Sequence, residues 1–399
     1  MSEAVIVAYA RTPIGRANKG SLVDCRPDDL SALVIKAVLE RVDKLDPALV
    51  EDVLWGCGQP AGEAGYNVAR VAALLAGIDA PGVTVNRYCS SSLQTIRMAA
   101  HAIKADEGDV FIAGGVETVS RYAQGASDSG SHNTAFDGAH ARTKAREPGD
   151  QGDWKPASGL PDVYIAMGQT AENVVEQEHV TREAMDKWGV RSQERAVAAQ
   201  ENGFFEREII PVTTPDGTVV TKDDGPRPGT TLEKLASLKP AFRPNGTVTA
   251  GNACPLNDGA AAVVVMSDTK AKALGIKPLA RVVSSGVSAL NPEIMGLGPI
   301  GASRQALERA GMTMDQIDRV EINEAFAAQV LPSAEQLGID HEKLNVNGGA
   351  IALGHPFGMT GARIMSTLLN GLEDAGLQYG LETMCVGGGQ GLAMIVERI

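Results

Sequence analysis

Two periods of apolar residues alternate along the chain: short β-branched runs and longer stretches with three-to-four spacing. This alternation is typical of an α/β protein, in which strands and helices follow one another. The apolar runs predict strands at 5–8, 53–55, 109–113 and 259–266. The three-to-four spacing predicts helices over 27–42, 68–75, 164–178 and 182–202.

The change of period around Cys89 is the most informative single feature. A β-branched run at 83–85 stops just before this cysteine, and a helical pattern begins just after it at Leu93. Backbone N–H groups at the start of a helix lower the pKa of a nearby thiol and favour thiolate. A cysteine so placed can attack an acyl group. The alternative is that Cys89 is a small buried residue without chemistry.

Two long segments interrupt the regular pattern. Between about 120 and 160, Ser, Gly, Asp, His and Pro dominate and no period is visible, and 211–250 are again rich in turn residues. We interpret 121–250 as an inserted loop domain lying over the core.

The second half of the chain repeats the order of the first. The matching segments are 53–57 with 320–325, 85–86 with 346–347, and 112–115 with 385–388. Three pairs in the same order indicate a duplicated βα unit, with strand ends of both halves meeting at one site. We therefore expect an N-terminal core half formed by 1–120 and 251–274, the loop domain 121–250, and a C-terminal core half over 275–399.

Composition narrows the class of protein. The formal net charge of −13 argues against a nucleic-acid surface, which needs a basic face. Five cysteines without a CxxC spacing indicate free thiols in a reducing compartment, and the six histidines show no ligand spacing, so we expect no metal. No secretion signal precedes the first strand, and no apolar run approaches the roughly 20 residues of a membrane helix. We expect a soluble, cytoplasmic protein without membrane insertion.

Four segments each combine a reactive or polar side chain with small neighbours that let a substrate approach the backbone. They are the Cys89 turn, Asn323-Glu324-Ala325, the glycine-rich stretch 348–363 around His355, and the stretch 385–391 that begins with Cys385. Together they resemble the thiolase family of acetyl-CoA acetyltransferases and 3-ketoacyl-CoA thiolases, and the resemblance covers nearly the whole chain. It implies the thiolase fold: an α/β fold of two duplicated βαβαβ-type halves in five layers, α-β-α-β-α.

The residues suggest how such chemistry would be divided. Cys89 is the candidate nucleophile, His355 can accept its proton, and Cys385 can act as the second acid or base at the α-carbon. The resemblance implies that His355 and a water held by Asn323 form one oxyanion hole, and that the N–H groups of Cys89 and Gly387 form the other. Taken singly, His355 has the alternative of a structural histidine, Cys385 of a strand-core residue, and Asn323 of a helix cap.

Coenzyme A is expected as a substrate rather than as a permanently bound cofactor. The resemblance places Met167, Arg227 and Cys254 along its groove, with Arg227 near a phosphate or the adenine; the alternative for Arg227 is a solvated loop arginine. The chain departs from the family at Cys254, where Ser is usual, and at the following Pro255, where Gly is usual. A third departure is Ser92, in place of Gly.

Ala166 bears on the substrate. Short-chain acetoacetyl-CoA enzymes of the family tend to carry His there, and the smaller apolar residue would suit a longer acyl tail. We therefore expect a 3-ketoacyl-CoA thiolase of β-oxidation, acting on acyl-CoA, 3-ketoacyl-CoA and CoA as a homodimer or homotetramer. The near alternative is an acetoacetyl-CoA-forming acetyl-CoA acetyltransferase. More distant alternatives are a decarboxylating ketoacyl synthase and a non-catalytic acyl-CoA or lipid binder.

Overall fold

The structure is a computed structural model that describes residues 2–149 and 152–399. Its strands are β1 Ala4–Arg11, β2 Gly15–Arg16, β3 Asp52–Gly56, β4 Gly82–Val85, β5 Val110–Thr118, β6 Val212–Thr213, β7 Val219–Val220, β8 Asn257–Ser267, β9 Ala280–Ala289, β10 Arg319–Ile322, β11 Tyr379–Val386 and β12 Gln390–Arg398. Its α-helices are α1 Pro27–Glu40, α2 Val68–Leu75, α3 Ser91–Lys104, α4 Asp137–Arg146, α5 Met167–Glu178, α6 Arg182–Glu201, α7 Leu232–Ala236, α8 Asp268–Leu274, α9 Gly298–Ala310, α10 Ala327–Leu337, α11 Ala350–Leu353 and α12 Thr360–Asp374.

The sheet consists of two halves with the same strand order. In the N-terminal half the order is β4-β3-β5-β8-β1, with β4, β3 and β5 parallel and β8 antiparallel to both neighbours. In the C-terminal half β10-β11-β12-β9 repeats the pattern from β3 to β1 with the same parallel and antiparallel pairs. The halves join where β1 meets β9 through the pairs Val5–Arg281 and Ile6–Ala280. The predicted duplication is confirmed.

One pair of segments predicted to correspond between the two halves, 85–86 with 346–347, does not form equivalent strands. The counterpart of β4 is a single parallel bridge between Leu344 and Val320, whereas Val346 and Asn347 lie in the turn that follows. A glycine-rich segment begins at Gly348, and the chain turns towards α11 instead of extending a strand.

The helices form three layers around the two halves of the sheet. The central layer is α3 with α12, whose Leu93, Ile96, Ala362 and Met365 share one buried cluster with strands of both halves. Helices α1 and α2 cover the outer face of the N-terminal half, and α9 and α10 cover that of the C-terminal half. This arrangement is the expected five-layer α-β-α-β-α fold.

The segment between β5 and β8 is more regular than its composition predicts. Helix α4 lies inside the stretch for which no periodic structure was expected, and its buried residues are only Ala139 and Thr143. Such a sparse apolar face leaves little hydrophobic period to detect. The predicted loop domain 121–250 also contains residues 150 and 151, which lie outside the described residues. Among the helices that the structure describes, none is long and apolar enough to cross a membrane.

Candidate active site

Cys89 lies in a tight turn between β4 and α3. This turn is one 3-10 helix, Tyr88–Ser90, and the Ser91 hydroxyl closes it by accepting the Arg87 N–H at 2.9 Å and donating to the Tyr88 carbonyl at 2.7 Å. Tyr88 has a φ of 42°, in the left-handed region that a residue with a side chain rarely adopts. Such a conformation costs on the order of 1–3 kcal/mol and is typical of functional sites.

The thiol of Cys89 is buried in the free protein. Burial raises its pKa to about 11, while the backbone N–H groups of Gly387 and of Cys89 itself act in the opposite direction. The expectation of a lowered pKa is therefore wrong for the free site. The sequence shows the helix start but not the burial, and here desolvation of the thiolate outweighs the N–H groups. Cys89 thus needs a base to receive its proton.

His355 lies in the loop between α11 and α12 and is a neutral imidazole. The Thr360 hydroxyl donates to the Pro356 carbonyl at 2.7 Å, so its oxygen accepts the hydrogen bond from His355 Nδ1–H at 2.6 Å. This network assigns the tautomer with a lone pair on Nε2. Burial, followed by the Arg363 charge, lowers the pKa of His355 to about 3.

Asn323 follows β10 and contacts the same imidazole nitrogen. Its Nδ2 lies 3.2 Å from His355 Nε2, and its main-chain carbonyl accepts from Gln329 Nε2 at 2.7 Å. The side-chain oxygen Oδ1 is buried and has no hydrogen-bond partner among the described residues. A buried amide oxygen of this kind is suited to accept from a water or a substrate group.

Glu324 holds Asn323 in place from the next position in the chain. It is fully buried, and its carboxylate links the end of β10 to α6 and α11. Its donors are Trp188 Nε1 at 3.0 Å, Ser192 Oγ at 2.6 Å, Asn345 Nδ2 at 3.0 Å and the Ile351 N–H at 3.1 Å. Because the Glu324 carboxylate accepts all four of these hydrogen bonds, the turn that carries Asn323 is rigidly oriented.

Glu117, at the end of β5, is a second buried carboxylate that sequence reasoning missed. It joins the loop after β3 to the His355 loop and contributes a negative charge that raises the pKa of Cys89. Its donors are the N–H groups of Gly58 at 2.7 Å, Gln59 at 3.2 Å and Gly358 at 2.9 Å, and the Tyr122 hydroxyl at 2.9 Å. The available signal was an acidic residue ending an otherwise apolar strand.

Cys385 and Cys254 lie close enough to Cys89 to interact with it electrostatically. Cys385 is fully buried near the end of β11, and burial together with Cys89 and Cys254 raises its pKa well above the ordinary value. The N–H of Cys254 donates to the Ala325 carbonyl at 3.0 Å, which fixes Cys254 beside the Asn323 turn. The structure thus brings three thiols together around one point.

A cavity of about 410 Å³ opens onto this point. Cys89, Met167 and Gly387 line it, as do Tyr88 and Phe357. Asn323, His355 and Cys385 are buried and are not among the lining residues, but the His355 ring packs edge-on against that of Phe357 with centroids 5.1 Å apart.

Arg227 is not among the residues that line the cavity. Its guanidinium is exposed, its N–H donates to Gln193 Oε1 at 2.8 Å, and partial burial and Arg16 lower its pKa. Of the three residues predicted to line the CoA groove, Met167 lines the cavity, Cys254 is beside Cys89, and Arg227 is outside the cavity lining.

The described residues contain no group of three or more His, Cys, Asp or Glu side chains arranged as metal ligands. What the site does offer is the thiols of Cys89 and Cys385, the neutral imidazole of His355, the amide of Asn323 and two backbone N–H groups, at or next to one cavity. This set can form and break a thioester and can move a proton at a neighbouring carbon.

Comparison with known proteins agrees with this chemistry. Residues 4–269 match the model of the thiolase N-terminal domain, and residues 276–398 match that of the thiolase C-terminal domain. The chain is 46% identical to a beta-ketoadipyl-CoA thiolase of Acinetobacter baylyi and 44% identical to a 3-ketoacyl-CoA thiolase of Serratia proteamaculans, in each case over 100% of both chains. The crystal structure of a Bacillus anthracis acetyl-CoA acetyltransferase superposes with a TM-score of 0.87 at 40% identity, covering 100% of this chain and 99% of that one.

The fold and these matches define an acyltransferase, and the chain belongs to the thiolase family. The predicted family, fold class and enzyme class are confirmed.

Proposed function

We propose that the protein is a 3-ketoacyl-CoA thiolase, which converts a 3-ketoacyl-CoA and CoA into a shortened acyl-CoA and acetyl-CoA. The observation that carries this proposal is that Cys89 lines the cavity, Cys385 interacts with Cys89, and the imidazole of the Asn323–His355 pair packs on Phe357 of the same lining. The name of the Serratia relative supports the same reaction. We place the activity in fatty-acid or a related β-oxidation.

In the first half-reaction, His355 Nε2 takes the proton of Cys89, and the thiolate attacks the 3-keto carbon of the substrate. The bond between carbons 2 and 3 then breaks, and its electron pair becomes the enolate of acetyl-CoA. Cys385 donates its proton to that carbon and becomes a thiolate. Acetyl-CoA leaves, and the shortened acyl group stays on Cys89 as a thioester.

In the second half-reaction, the Cys385 thiolate takes the proton of the CoA thiol, which attacks the thioester. Cys89 leaves as a thiolate and recovers its proton from His355, so both cysteines return to their starting state. This cycle requires a neutral imidazole with its lone pair on Nε2 before the first step, and the hydrogen bond from His355 Nδ1 to Thr360 assigns that tautomer.

Two sets of donors would hold the negative oxygen atoms that develop. His355, with a water bound to Asn323 Oδ1, would hold the enolate oxygen of the thioester, and the N–H groups of Cys89 and Gly387 would hold the tetrahedral oxyanion on the acyl group. The same N–H groups oppose the rise in the pKa of the Cys89 thiol that burial causes, which supports their direction towards the reacting atoms.

Coenzyme A would enter along Met167 and Cys254, with its nucleotide end towards Arg227. Met167 lies on the cavity wall, and Arg227 presents an exposed cation in a turn. We expect no permanently bound cofactor. Pro255 removes a backbone N–H next to Cys254, so this enzyme would hold the pantetheine with one donor fewer than a glycine at that position allows.

A second candidate function is that of an acetyl-CoA acetyltransferase forming acetoacetyl-CoA. The observation that favours it is the superposition on the Bacillus anthracis enzyme of that name. Both activities use the same chemistry in opposite directions. Ala166, exposed next to Met167, supports the longer acyl tail and hence the first candidate.

We further propose a homodimer formed through β4. This strand is the outer one of the N-terminal half, and Val83 on it is 36% exposed. Tyr66, which precedes the Asn67 side chain that donates to the Gly82 carbonyl, is 96% exposed. An unpaired strand edge with apolar neighbours favours pairing with a second copy about a twofold axis. Sedimentation equilibrium would give a monomer for Val83→Lys and a dimer for the wild type; a wild-type tetramer would call for a second interface.

Two expectations from the sequence remain proposals. One is the division into 1–120 with 251–274, 121–250 and 275–399, which the repeated strand order supports. The other is a cytoplasmic location, supported by five cysteines that are all free thiols in the described chain.

The proposed function is tested by CoA-dependent thiolysis of 3-ketoacyl-CoAs with four to sixteen carbons, followed by the loss of ketoacyl absorbance. A broad or long-chain maximum supports the 3-ketoacyl-CoA thiolase. A rate that peaks at four carbons and collapses beyond supports the acetyl-CoA acetyltransferase. Failure at every length would contradict both and leave a non-catalytic acyl-CoA binder.

A further inference from the structure

The wall of the cavity at Cys89 has a one-sided distribution of charge. Among the described residues that line it, none is Lys or Arg, and the one carboxylate is that of Asp128. Of the described lining side chains, His132 alone can become cationic, and its ring stacks on that of Tyr164 with centroids 3.9 Å apart and planes within 3°. This described part of the wall therefore has no permanent positive charge to receive an anionic group.

The carboxylate of Asp128 is held in a fixed position. The Gln59 side-chain amide donates to Asp128 Oδ2, and Gln59 Oε1 accepts from the Asp128 N–H at 2.9 Å and from the Ser127 hydroxyl at 2.8 Å. The Gln59 main-chain N–H in turn donates to Glu117. Asp128 is thus tied to the same buried carboxylate that orients the His355 loop.

The charge of Asp128 also reaches the residue before the candidate nucleophile. It contributes to the raised pKa of Tyr88, and Glu117 contributes to the raised pKa of Cys89. Two carboxylates therefore act on this end of the cavity. Arg363, whose charge acts on His355, is buried and is not among the described lining residues.

We propose that Asp128 is a specificity-determining residue that makes this enzyme select 3-ketoacyl groups with an uncharged tail and discriminate against tails ending in a carboxylate. The inference rests on the proposed thiolase function and names its substrate class. When a six-carbon 3-keto dicarboxylyl-CoA is cleaved, a succinyl group stays on Cys89. Its carboxylate would lie a few bonds from the sulfur, in a cavity whose described wall offers Asp128 and no Lys or Arg. Like charges without a partner cation disfavour that complex.

The test compares two substrates of equal length, 3-ketohexanoyl-CoA and 3-ketoadipyl-CoA, which differ in a terminal methyl against a terminal carboxylate. We expect kcat/KM to be about tenfold or more higher for 3-ketohexanoyl-CoA at low ionic strength. Because Asp128 is exposed at the cavity mouth, the preference should decrease as salt is added. Salt screens charge repulsion but does not alter a steric effect. A preference for 3-ketohexanoyl-CoA that decreases with salt therefore identifies charge repulsion, and this test needs no variant.

The variant Asp128→Asn keeps the size of the side chain and an oxygen that can accept from Gln59. It should reduce the ratio of the two kcat/KM values several-fold. The matched control is Asp43→Asn, an exposed position after α1 outside the cavity lining, which changes the net charge equally and should leave the ratio unaltered.

Equal cleavage of both substrates by the wild type would overturn the inference, as would an unchanged ratio in Asp128→Asn. A preference for 3-ketoadipyl-CoA that disappears in His132→Gln would replace it with recognition of the carboxylate by His132. Cleavage of neither substrate would contradict the proposed function itself, and this inference with it.

Discussion

The hydroxyl of Ser92 in α3 accepts a hydrogen bond of 2.9 Å from the backbone N–H of Ala362 in α12. The first N–H groups of a helix lack partners within the helix, so a side chain that accepts one of them caps the helix. Here the helix that follows Cys89 caps the helix that follows His355. The two candidate catalytic groups, one from each half of the fold, are thereby held in register.

This contact follows from the duplication. Ser92 and Gly361 are each the second residue of their helix, and a Cβ on Gly361 would lie 2.2 Å from the Leu93 nitrogen. The two helix starts therefore approach each other too closely for side chains on both. One half contributes the glycine that permits the approach, and the other contributes the hydroxyl that satisfies the freed N–H.

We predict that Ser92→Ala loses about 0.5–2 kcal/mol of stability through the missing cap and also lowers kcat, because the His355 loop is no longer fixed against Cys89. The measurements are the thermal midpoint and the steady-state rate of thiolysis. The matched control is Thr231→Ala, which removes the exposed cap that accepts the Lys234 N–H at 3.3 Å in α7. If both variants lose stability and both keep full kcat, the Ser92 contact has a structural role only.

Alkylation of Cys89 should reveal its raised pKa. With a thiol pKa of about 11, the rate of iodoacetamide labelling at this residue in the free enzyme should rise continuously from pH 7 to 10 without a plateau. In Glu117→Gln the negative charge is absent, so the labelling curve should shift to lower pH. Peptide mass spectrometry distinguishes Cys89 from the other four cysteines, and a plateau near pH 8 in the wild type would contradict the account.

Acid should destabilise the protein through His355. Its pKa is about 3 in the folded state and about 6.5 when unfolded, so below pH 6.5 the unfolded state binds the proton and the folded state does not. The free energy of unfolding that depends on neutral His355 is fully present above pH 6.5 and is lost as the pH falls towards 3. At pH 5 the loss is about 2 kcal/mol.

The variant His355→Asn lacks this group, so its thermal midpoint should fall less than that of the wild type between pH 7 and 5. Scanning calorimetry at both pH values gives the comparison. An equal fall of the thermal midpoint in the wild type and in His355→Asn would mean that His355 accepts a proton readily in the folded state.

Arg227 offers a test of the CoA path. If its guanidinium holds the nucleotide end, Arg227→Ala should raise the KM for CoA several-fold and leave kcat largely intact, since the contact is the same in ground and transition states. Lys222→Ala removes an exposed cation in the same turn-rich stretch and serves as the control. An unchanged KM in Arg227→Ala would identify this residue as a solvated loop arginine.

Sequence patterns predicted the fold well because the duplicated βα units carry strong apolar periods. Helix α2 was predicted with its observed bounds, whereas α4 was missed because its buried face has only two residues. The segments around Cys89, Asn323 and His355 were predicted as candidate sites because each combines a reactive group with small residues. What the sequence could not give is the environment of each group after folding.

Glu117 and Ser92 illustrate that limit. Glu117 gains its importance from donors contributed by Gly358, which is 241 positions away in the chain, and Ser92 from an N–H that is 270 positions away. The pKa of Cys89 is raised because folding removes the thiol from water. None of these relationships has a local signature, since each arises only when the two halves pack around α3 and α12.

The central claim is that Cys89 carries the acyl group, whereas Cys385 only transfers protons, at the α-carbon and at the CoA thiol. It is tested most directly by incubating the wild type, Cys89→Ala and Cys385→Ala with acetyl-CoA and measuring acetylation by intact-protein and peptide mass spectrometry. The account predicts one acetyl group on Cys89 in the wild type and, at a reduced rate, in Cys385→Ala, none in Cys89→Ala, and no thiolysis of acetoacetyl-CoA by either variant. Acetylation of Cys89→Ala at the wild-type rate, or a label found on Cys385, would contradict it.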